Sequence, residues 1–210
     1  MSAAPLRHRS DRLPVAKPSR PAPGLSDEDR RAILGVCDHL IGAAGRTTLA
    51  LALRGSRAQR VVRYRVDQAR GYGFYAGASE ADVLARIDAL IAEGILRIEY
   101  RDGFPLLGYT NPGLELAKRY AAEEWLGRLR SRVQPVANGS ALELPWLMAA
   151  MPERNLDTVR LLTDLVAREA DIAWRPLLRA WQAAETRRVQ GWLAPIIATL
   201  ETNPPATDRR

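Results

Sequence analysis

The residues best suited to chemistry in this sequence are arginines, concentrated in one stretch. Between residues 45 and 75 the chain runs GRTTLALALRGSRAQRVVRYRVDQARGYGFY, with Asp67 as its one acid. Burying an unpaired guanidinium is costly, so we expect these side chains on a surface. Guanidinium groups, small hydroxyls and glycine amides together hold phosphate oxygens, which favours a polyanionic partner; a solvated helix face is the alternative. The arginines of this stretch are Arg46, Arg54, Arg57, Arg60, Arg63, Arg65 and Arg70.

The overall composition is compatible with such a partner. The 210 residues carry 31 Lys and Arg against 24 Asp and Glu, a net charge of +7 that favours nucleic acid or an anionic membrane surface. Hydrophobic residues make up 47% of the chain, enough for a core in one or two domains. No apolar run reaches about 18 residues, so no membrane span is expected. Cys37 is the single cysteine, which excludes a disulfide framework or a cysteine-rich zinc site and predicts a cytoplasmic protein.

The elements that must position these arginines are mainly helical. Ser26, with an acid three residues later, predicts a capped helix whose buried face includes Cys37. Thr47 or Thr48 is expected to cap a short second helix, with Tyr72 or Phe74 filling the core from the glycine-rich loop that follows.

A second capped helix is followed by a hairpin signal. Ser79 begins an amphipathic helix that is expected to end at Gly94. Apolar and polar residues alternate on both sides of the turn Asp102-Gly103, which predicts a β-hairpin. The fold class predicted is therefore mostly α with a small β-hairpin, in the order of a winged helix-turn-helix, followed by a helical C-terminal region.

The remaining chain predicts helices and two tails. Residues 1–24 are rich in proline and basic side chains and are expected to be disordered, as are residues 203–210. One helix is expected over residues 112–132, a loop over 134–145, and helices from there to residue 201. All five tryptophans lie beyond residue 120. Their helical spacing predicts core positions, with a partner-binding groove as the alternative.

The arginine stretch also resembles a known family. The segment LRGSRAQR (53–60) resembles the LRGS signature of the RQC domain, the winged-helix module that follows the motor in RecQ-family DNA helicases. The resemblance extends through Gly45 and Thr47-Thr48-Leu49, Tyr72-Gly73, the helix carrying residues 90–96, and the strand that closes at residues 107–110. It covers about residues 26–120. It implies an RQC-like winged-helix domain over residues 25–120, with a helical region over 121–202.

The resemblance implies roles for individual residues. The LRGS turn and the basic residue after it would grip backbone phosphates, which assigns that role to Arg54, Ser56 and Arg60. Thr47 and Thr48 would add donors. The basic side chains expected to share one face with the wing are Arg46, Arg54, Arg57, Arg60 and Arg63. At the wing tip, Phe104 or Tyr100 would wedge against a duplex end beside Arg101. The alternative for both aromatics is a role as core partners within the hairpin.

We expect this protein to bind a partner and not to catalyse a reaction. The chain has two histidines in unrelated contexts, no metal-ligand spacing, no helicase motor and no four-cysteine zinc element, so we expect no enzyme, cofactor or metal. The resemblance favours a bacterial RQC-minor type protein of the nucleoid that binds duplex, fork or junction DNA in repair or replication. Structured RNA, a protein adaptor, or a ligand-binding regulator are the alternatives, with residues 121–201 available for a homodimer or protein partner.

Overall fold

The structure is a computed structural model that describes residues 24–140 and 155–202. Contacts divide the chain into two compact units, an N-terminal unit (residues 1–107) and a C-terminal unit (residues 108–210). The boundary predicted at residue 120 lies inside one long helix, whereas the contacts divide the chain after Leu107. The two predicted tails lie outside the described residues, apart from Gly24.

The N-terminal unit has the element order of a winged helix. Three helices and a short 3-10 turn precede a fourth helix and an antiparallel hairpin. The sequence predicts the first, second and fourth helices and the hairpin, whereas the short third helix and the 3-10 turn are additional. The elements are α1 (Asp27–Cys37), α2 (Arg46–Leu53), α3 (Gln59–Val62), a 3-10 turn (Val66–Gln68), α4 (Glu80–Ala92), β1 (Leu96–Arg101) and β2 (Phe104–Tyr109).

Local signals fix several of these boundaries. The capping box at α1 is confirmed, because the Asp29 amide donates to Ser26 Oγ at 3.1 Å and the Ser26 amide donates to the Asp29 carboxylate at 2.9 Å. Ser79 caps α4 in the same way, by accepting from the Asp82 amide. The hairpin turn is confirmed as well: Asp102 and Gly103 have φ of 52° and 81°, the backbone that a two-residue type I′ turn requires.

The start of α2 differs from the prediction. The helix begins after Gly45, so Thr47 and Thr48 lie in its first turn and neither is its cap. The reason is a tertiary contact, because a Cβ at position 45 would lie 2.7 Å from the carbonyl oxygen of Pro105. Only glycine permits β2 to approach the start of α2 this closely.

The aromatic residue that fills the core is also not the one expected. Tyr75 is buried, whereas Phe74 is 48% exposed and Tyr72 is half-buried. The Tyr75 amide donates to the Leu53 carbonyl at 2.8 Å, and its hydroxyl donates to the Asp29 carboxylate. These two bonds turn Tyr75 inward and leave Phe74 facing out. Cys37 is fully buried, as predicted.

The C-terminal unit is helical. Its first helix is longer than the predicted 112–132: it continues through Pro135 because Val133 is buried and Val136 packs against the same core. The first part of the predicted 134–145 loop is therefore helical, and residues 141–145 lie outside the described residues. The elements are α5 (Asn111–Ala137), α6 (Leu156–Glu169), a 3-10 turn (Ile172–Trp174), α7 (Arg175–Ala184) and α8 (Arg187–Thr202).

Tryptophans form much of this second core. Trp125, Trp174 and Trp181 are buried, which confirms the predicted core positions, while Trp192 packs against the core from its edge. Trp146 lies outside the described residues. Ion pairs Lys118–Asp157, at 2.9 Å, and Arg130–Glu169 join α5 to α6 with the same offset along the chain, so the two helices run parallel.

Candidate nucleic-acid interface

A groove of about 550 Å³ lies between the start of α2, the end of α3 and the hairpin tip. Everything that lines it belongs to the N-terminal unit. Its walls combine basic, hydroxyl and aromatic side chains, a composition suited to an anionic ligand that also carries flat rings. The side chains that matter most are Thr48, Arg60, Arg63, Tyr64, Arg101 and Phe104.

Backbone bonds hold the hairpin against the loop before α2. The Gly42 amide donates to the Leu107 carbonyl at 2.8 Å, and the Leu107 amide donates to the Ala44 carbonyl at 2.9 Å. Together with the close approach of Gly45 to Pro105, these bonds fix β2 beside residues 42–45. The wing residue Arg101 is thereby held in the lining of the same groove as Arg60 and Arg63.

The arginines of the groove are accessible. Arg60, Arg63 and Arg101 are all exposed, and within residues 24–140 and 155–202 none of them pairs with a carboxylate. The Arg63 guanidinium lies 5.8 Å from the centre of the Tyr64 ring, and the Tyr64 hydroxyl donates to the Ala43 carbonyl at 2.9 Å. Tyr64 therefore orients one arginine of the groove.

Two of the predicted phosphate-binding arginines make contacts within the chain. Arg46 pairs with Asp88 of α4 at 2.6 Å. Arg54 donates through Nε to the Ala78 carbonyl at 3.0 Å and lies 3.9 Å from the Glu80 carboxylate. Their contacts fasten α2 and the LRGS turn to α4, so these two arginines support the unit in the free protein.

The LRGS turn itself is built from close packing. Gly55 has φ of 74° and approaches Gly73 so closely that an added Cβ would lie 3.3 Å from its Cα. The Ser56 hydroxyl accepts from the Ala58 amide at 3.2 Å, and the Ser56 carbonyl accepts from the Tyr72 hydroxyl. The turn therefore leads directly into α3, whose Arg60 side chain lines the groove.

The remaining predicted site residues occupy different places. Thr48 lines the groove, whereas Thr47 and Arg57 are exposed beside it; among the described residues Arg57 has no carboxylate partner. Tyr100 and Phe104 are 58% and 69% exposed, so neither is a buried core partner of the hairpin. Phe104 faces the groove.

Sequence reasoning missed two groove residues. Tyr64 is not among the predicted site residues. An aromatic residue inside a basic stretch is nevertheless itself a signal for nucleic-acid binding. Asp102 is predicted only as a turn residue, yet it also lines the groove, where its negative charge disfavours an anion close to it.

One polar cluster stabilises the unit behind this surface. Burial raises the pKa of the Tyr75 hydroxyl, and its hydrogen bond to Asp29 adds to that effect. Burial would raise the pKa of Asp29 too, but hydrogen bonds from Tyr75 and Ser26 outweigh it and lower that pKa. The proton therefore stays on Tyr75, and the bond ties α1 to the glycine-rich loop.

The described residues contain neither a cluster of metal-ligand side chains nor a helix able to span a membrane. Residues 24–140 and 155–202 contain no group of three His, Cys, Asp or Glu side chains placed to hold a metal ion. In the same ranges, none of the helices has the length and apolar character needed to cross a membrane.

Comparison with known proteins identifies the domain that carries the groove. No curated protein and no solved structure matches the chain. The family model of the RQC domain matches residues 27–125, a little under half of the chain, from the first residue of α1 into α5. RQC domains are non-catalytic winged helices that bind nucleic acid. Residues 27–125 of this chain are therefore similar to an RQC domain.

Proposed function

We propose that this protein is a non-catalytic DNA-binding protein that contacts the phosphates of duplex or branched DNA in repair or replication. The groove of the N-terminal unit would hold the phosphate backbone. The observation that carries this proposal is the convergence of Arg60, Arg63 and Arg101 on one groove with no carboxylate partner among the described residues.

The free guanidinium groups favour phosphates over other anions. Arginine binds phosphate oxygens through two parallel hydrogen bonds, and such charge-assisted bonds are about twice as strong as neutral ones. Three arginines that line one groove suit a ligand with a row of negative charges. A strand of DNA presents charges in that form.

The start of α2 supplies further donors. Gly45 has no side chain with which to cap the helix, so the amides of Arg46 and Thr47 keep their hydrogen-bonding capacity, whereas the Thr48 amide donates to the Gly45 carbonyl at 3.0 Å. Thr48 adds a hydroxyl on the same wall of the groove. Backbone amides at a helix start and a nearby hydroxyl commonly hold phosphate oxygens.

The exposed wing aromatics favour an end or a junction. Phe104 presents most of its ring to solvent at the rim of the groove, and Tyr100 is exposed on the same hairpin. An aromatic ring can stack on a terminal or unpaired base, whereas the bases inside a continuous duplex are already stacked. We therefore expect Phe104→Ala to reduce binding to forks and blunt-ended duplexes more than binding to closed circular duplex, which has no end.

Fluorescence anisotropy with labelled duplex, fork, hairpin and RNA of equal length tests the proposal. The double variant Arg60→Ala/Arg63→Ala should weaken DNA binding at least tenfold and to a similar degree for every sequence, because phosphate contacts carry no base information. The matched control is Arg31→Ala, which removes a charge from α1, where Arg31 pairs with Asp27. Unchanged DNA affinity in the double variant, or a preference for RNA in competition, would contradict the proposal.

A further inference from the structure

Two arginines of the C-terminal unit converge on one indole ring. The Arg160 guanidinium, from α6, lies 5.4 Å from the centre of the Trp192 ring. The Arg188 guanidinium, from the first turn of α8, lies 5.5 Å from the same centre. Two cations from different helices are therefore held close to one aromatic side chain.

This arrangement is unfavourable for the isolated unit. Like charges repel, and the first turn of a helix disfavours cations, yet α8 begins with Arg187 and Arg188 and has no acid in that turn. Arg160 pairs with Asp164 at 3.3 Å, but both side chains are about half exposed, so solvent screens that pair. Arg188 is exposed and has no carboxylate partner among the described residues.

We propose that Arg160 and Arg188 form a second phosphate-binding site, for the backbone of a nucleic-acid strand. Trp192 would hold the two guanidinium groups in place through cation–π contacts while their N–H groups bind the phosphate oxygens. An anion between them would relieve their repulsion and the unfavourable charge at the start of α8. No groove residue takes part, so this site goes beyond the proposed function of the N-terminal unit.

A nucleic-acid ligand is favoured over an acidic peptide because the same chain carries an RQC domain. A strand held by one part of a chain is present at high effective concentration for a second site on that chain. Two weak phosphate sites on one chain would thus strengthen each other on a long strand.

The test follows the indole N–H signal of Trp192 by NMR in the ¹⁵N-labelled full chain, assigned with Trp192→Phe. A twelve-nucleotide oligothymidylate should shift this signal. Arg160→Ala/Arg188→Ala should raise the oligonucleotide concentration that gives half of the full shift at least tenfold. The matched control is Arg168→Ala, an exposed arginine of the same helix without a carboxylate partner among the described residues. It should leave the titration unchanged.

Several results would overturn the proposal. They are the absence of a shift, equal weakening by Arg168→Ala, and a shift produced by hexaglutamate at lower concentration than by the oligonucleotide. The groove variant Arg60→Ala/Arg63→Ala separates the two sites, because it should keep the Trp192 shift. If that variant loses the shift, the signal reports binding in the groove and the second site does not exist.

Discussion

Arginines have different surroundings in the two units. In the C-terminal unit several arginines pair with acids on the same or another helix, as in Arg119–Glu123, Arg128–Glu124, Arg130–Glu169 and Arg179–Glu201. In the N-terminal groove, Arg60, Arg63 and Arg101 have no such partner among the described residues. We infer from this comparison that the convergence of several unpaired arginines on one groove, and not the number of arginines, indicates where an external anion would bind.

The two units also differ in how their cores are packed. The C-terminal core is filled by large side chains, with Trp181 only 1% exposed. The N-terminal unit depends on glycines where backbones nearly touch, as at Gly35, where a Cβ would lie 2.7 Å from the Arg70 carbonyl oxygen. Truncating a large side chain should therefore destabilise the C-terminal unit, whereas adding a methyl group at a closely packed glycine should destabilise the N-terminal unit.

The largest expected effect is that of Trp181→Ala on the C-terminal unit. It removes a buried ring and leaves the Glu185 carboxylate without the indole N–H that donates to it at 3.0 Å. We expect the free energy of unfolding of this unit to fall by about 4 kcal/mol. All five tryptophans lie in this unit, so tryptophan fluorescence during urea unfolding measures it.

The control for that substitution is Leu156→Ala, at a side chain that is 37% exposed. It should change the stability of the unit by less than about 1 kcal/mol. Equal losses in the two variants would show that the tryptophan core does not dominate the stability of the C-terminal unit.

A slightly smaller effect is expected for Gly71→Ala in the N-terminal unit. Gly71 has φ of 94°, and a Cβ there would collide with the Ala32 carbonyl group, 2.8 Å from its carbon. The strained backbone and the collision together should cost about 3 kcal/mol. Gly77→Ala is the control, since a Cβ at that position meets nothing within 4 Å.

The reaction rate of the Cys37 thiol measures how readily the N-terminal unit opens. Burial, and then the nearby Asp38 carboxylate, raise the pKa of the Cys37 thiol well above its usual range. The thiol should therefore react with a disulfide reagent only when the N-terminal unit opens. Gly71→Ala should accelerate that reaction strongly, and Gly77→Ala should not; similar rates would contradict the close packing at Gly71.

The smallest effect concerns pH. Hydrogen bonds lower the folded-state pKa of Asp29 below its unfolded value, so its contribution to stability is present above the unfolded pKa and is lost as the pH falls through the folded pKa. Asp29→Asn should cost about 1 kcal/mol at pH 7 and flatten the loss of stability below about pH 4. Glu28→Gln, an exposed residue of the same turn, should leave the acid dependence unchanged.

Local features of the fold could be predicted from the sequence. The capping box at Ser26 and the Asp102-Gly103 turn depend on neighbouring residues alone, so their sequence signals were sufficient. The start of α2 could not be predicted, because Gly45 is required by contact with Pro105, 60 positions away. Tyr75 was missed for a similar reason, since its partners Asp29 and Leu53 lie far from it in sequence.

The same limit applies to the candidate site. Sequence identified the arginine stretch, but it could not show that Asp88 engages Arg46 or that Arg54 bonds to Ala78. It also could not place Tyr64 beside the wing. These are tertiary contacts, and no spacing rule along the chain encodes them.

The salt dependence of DNA binding tests the central claim most directly. Each arginine that neutralises a phosphate makes the slope of log K against log salt steeper by about 0.9 on duplex DNA. Arg60→Ala/Arg63→Ala should therefore make the slope shallower by about 2, while Arg31→Ala leaves it unchanged. Identical slopes for the wild-type protein and the double variant would show that the groove does not bind phosphates.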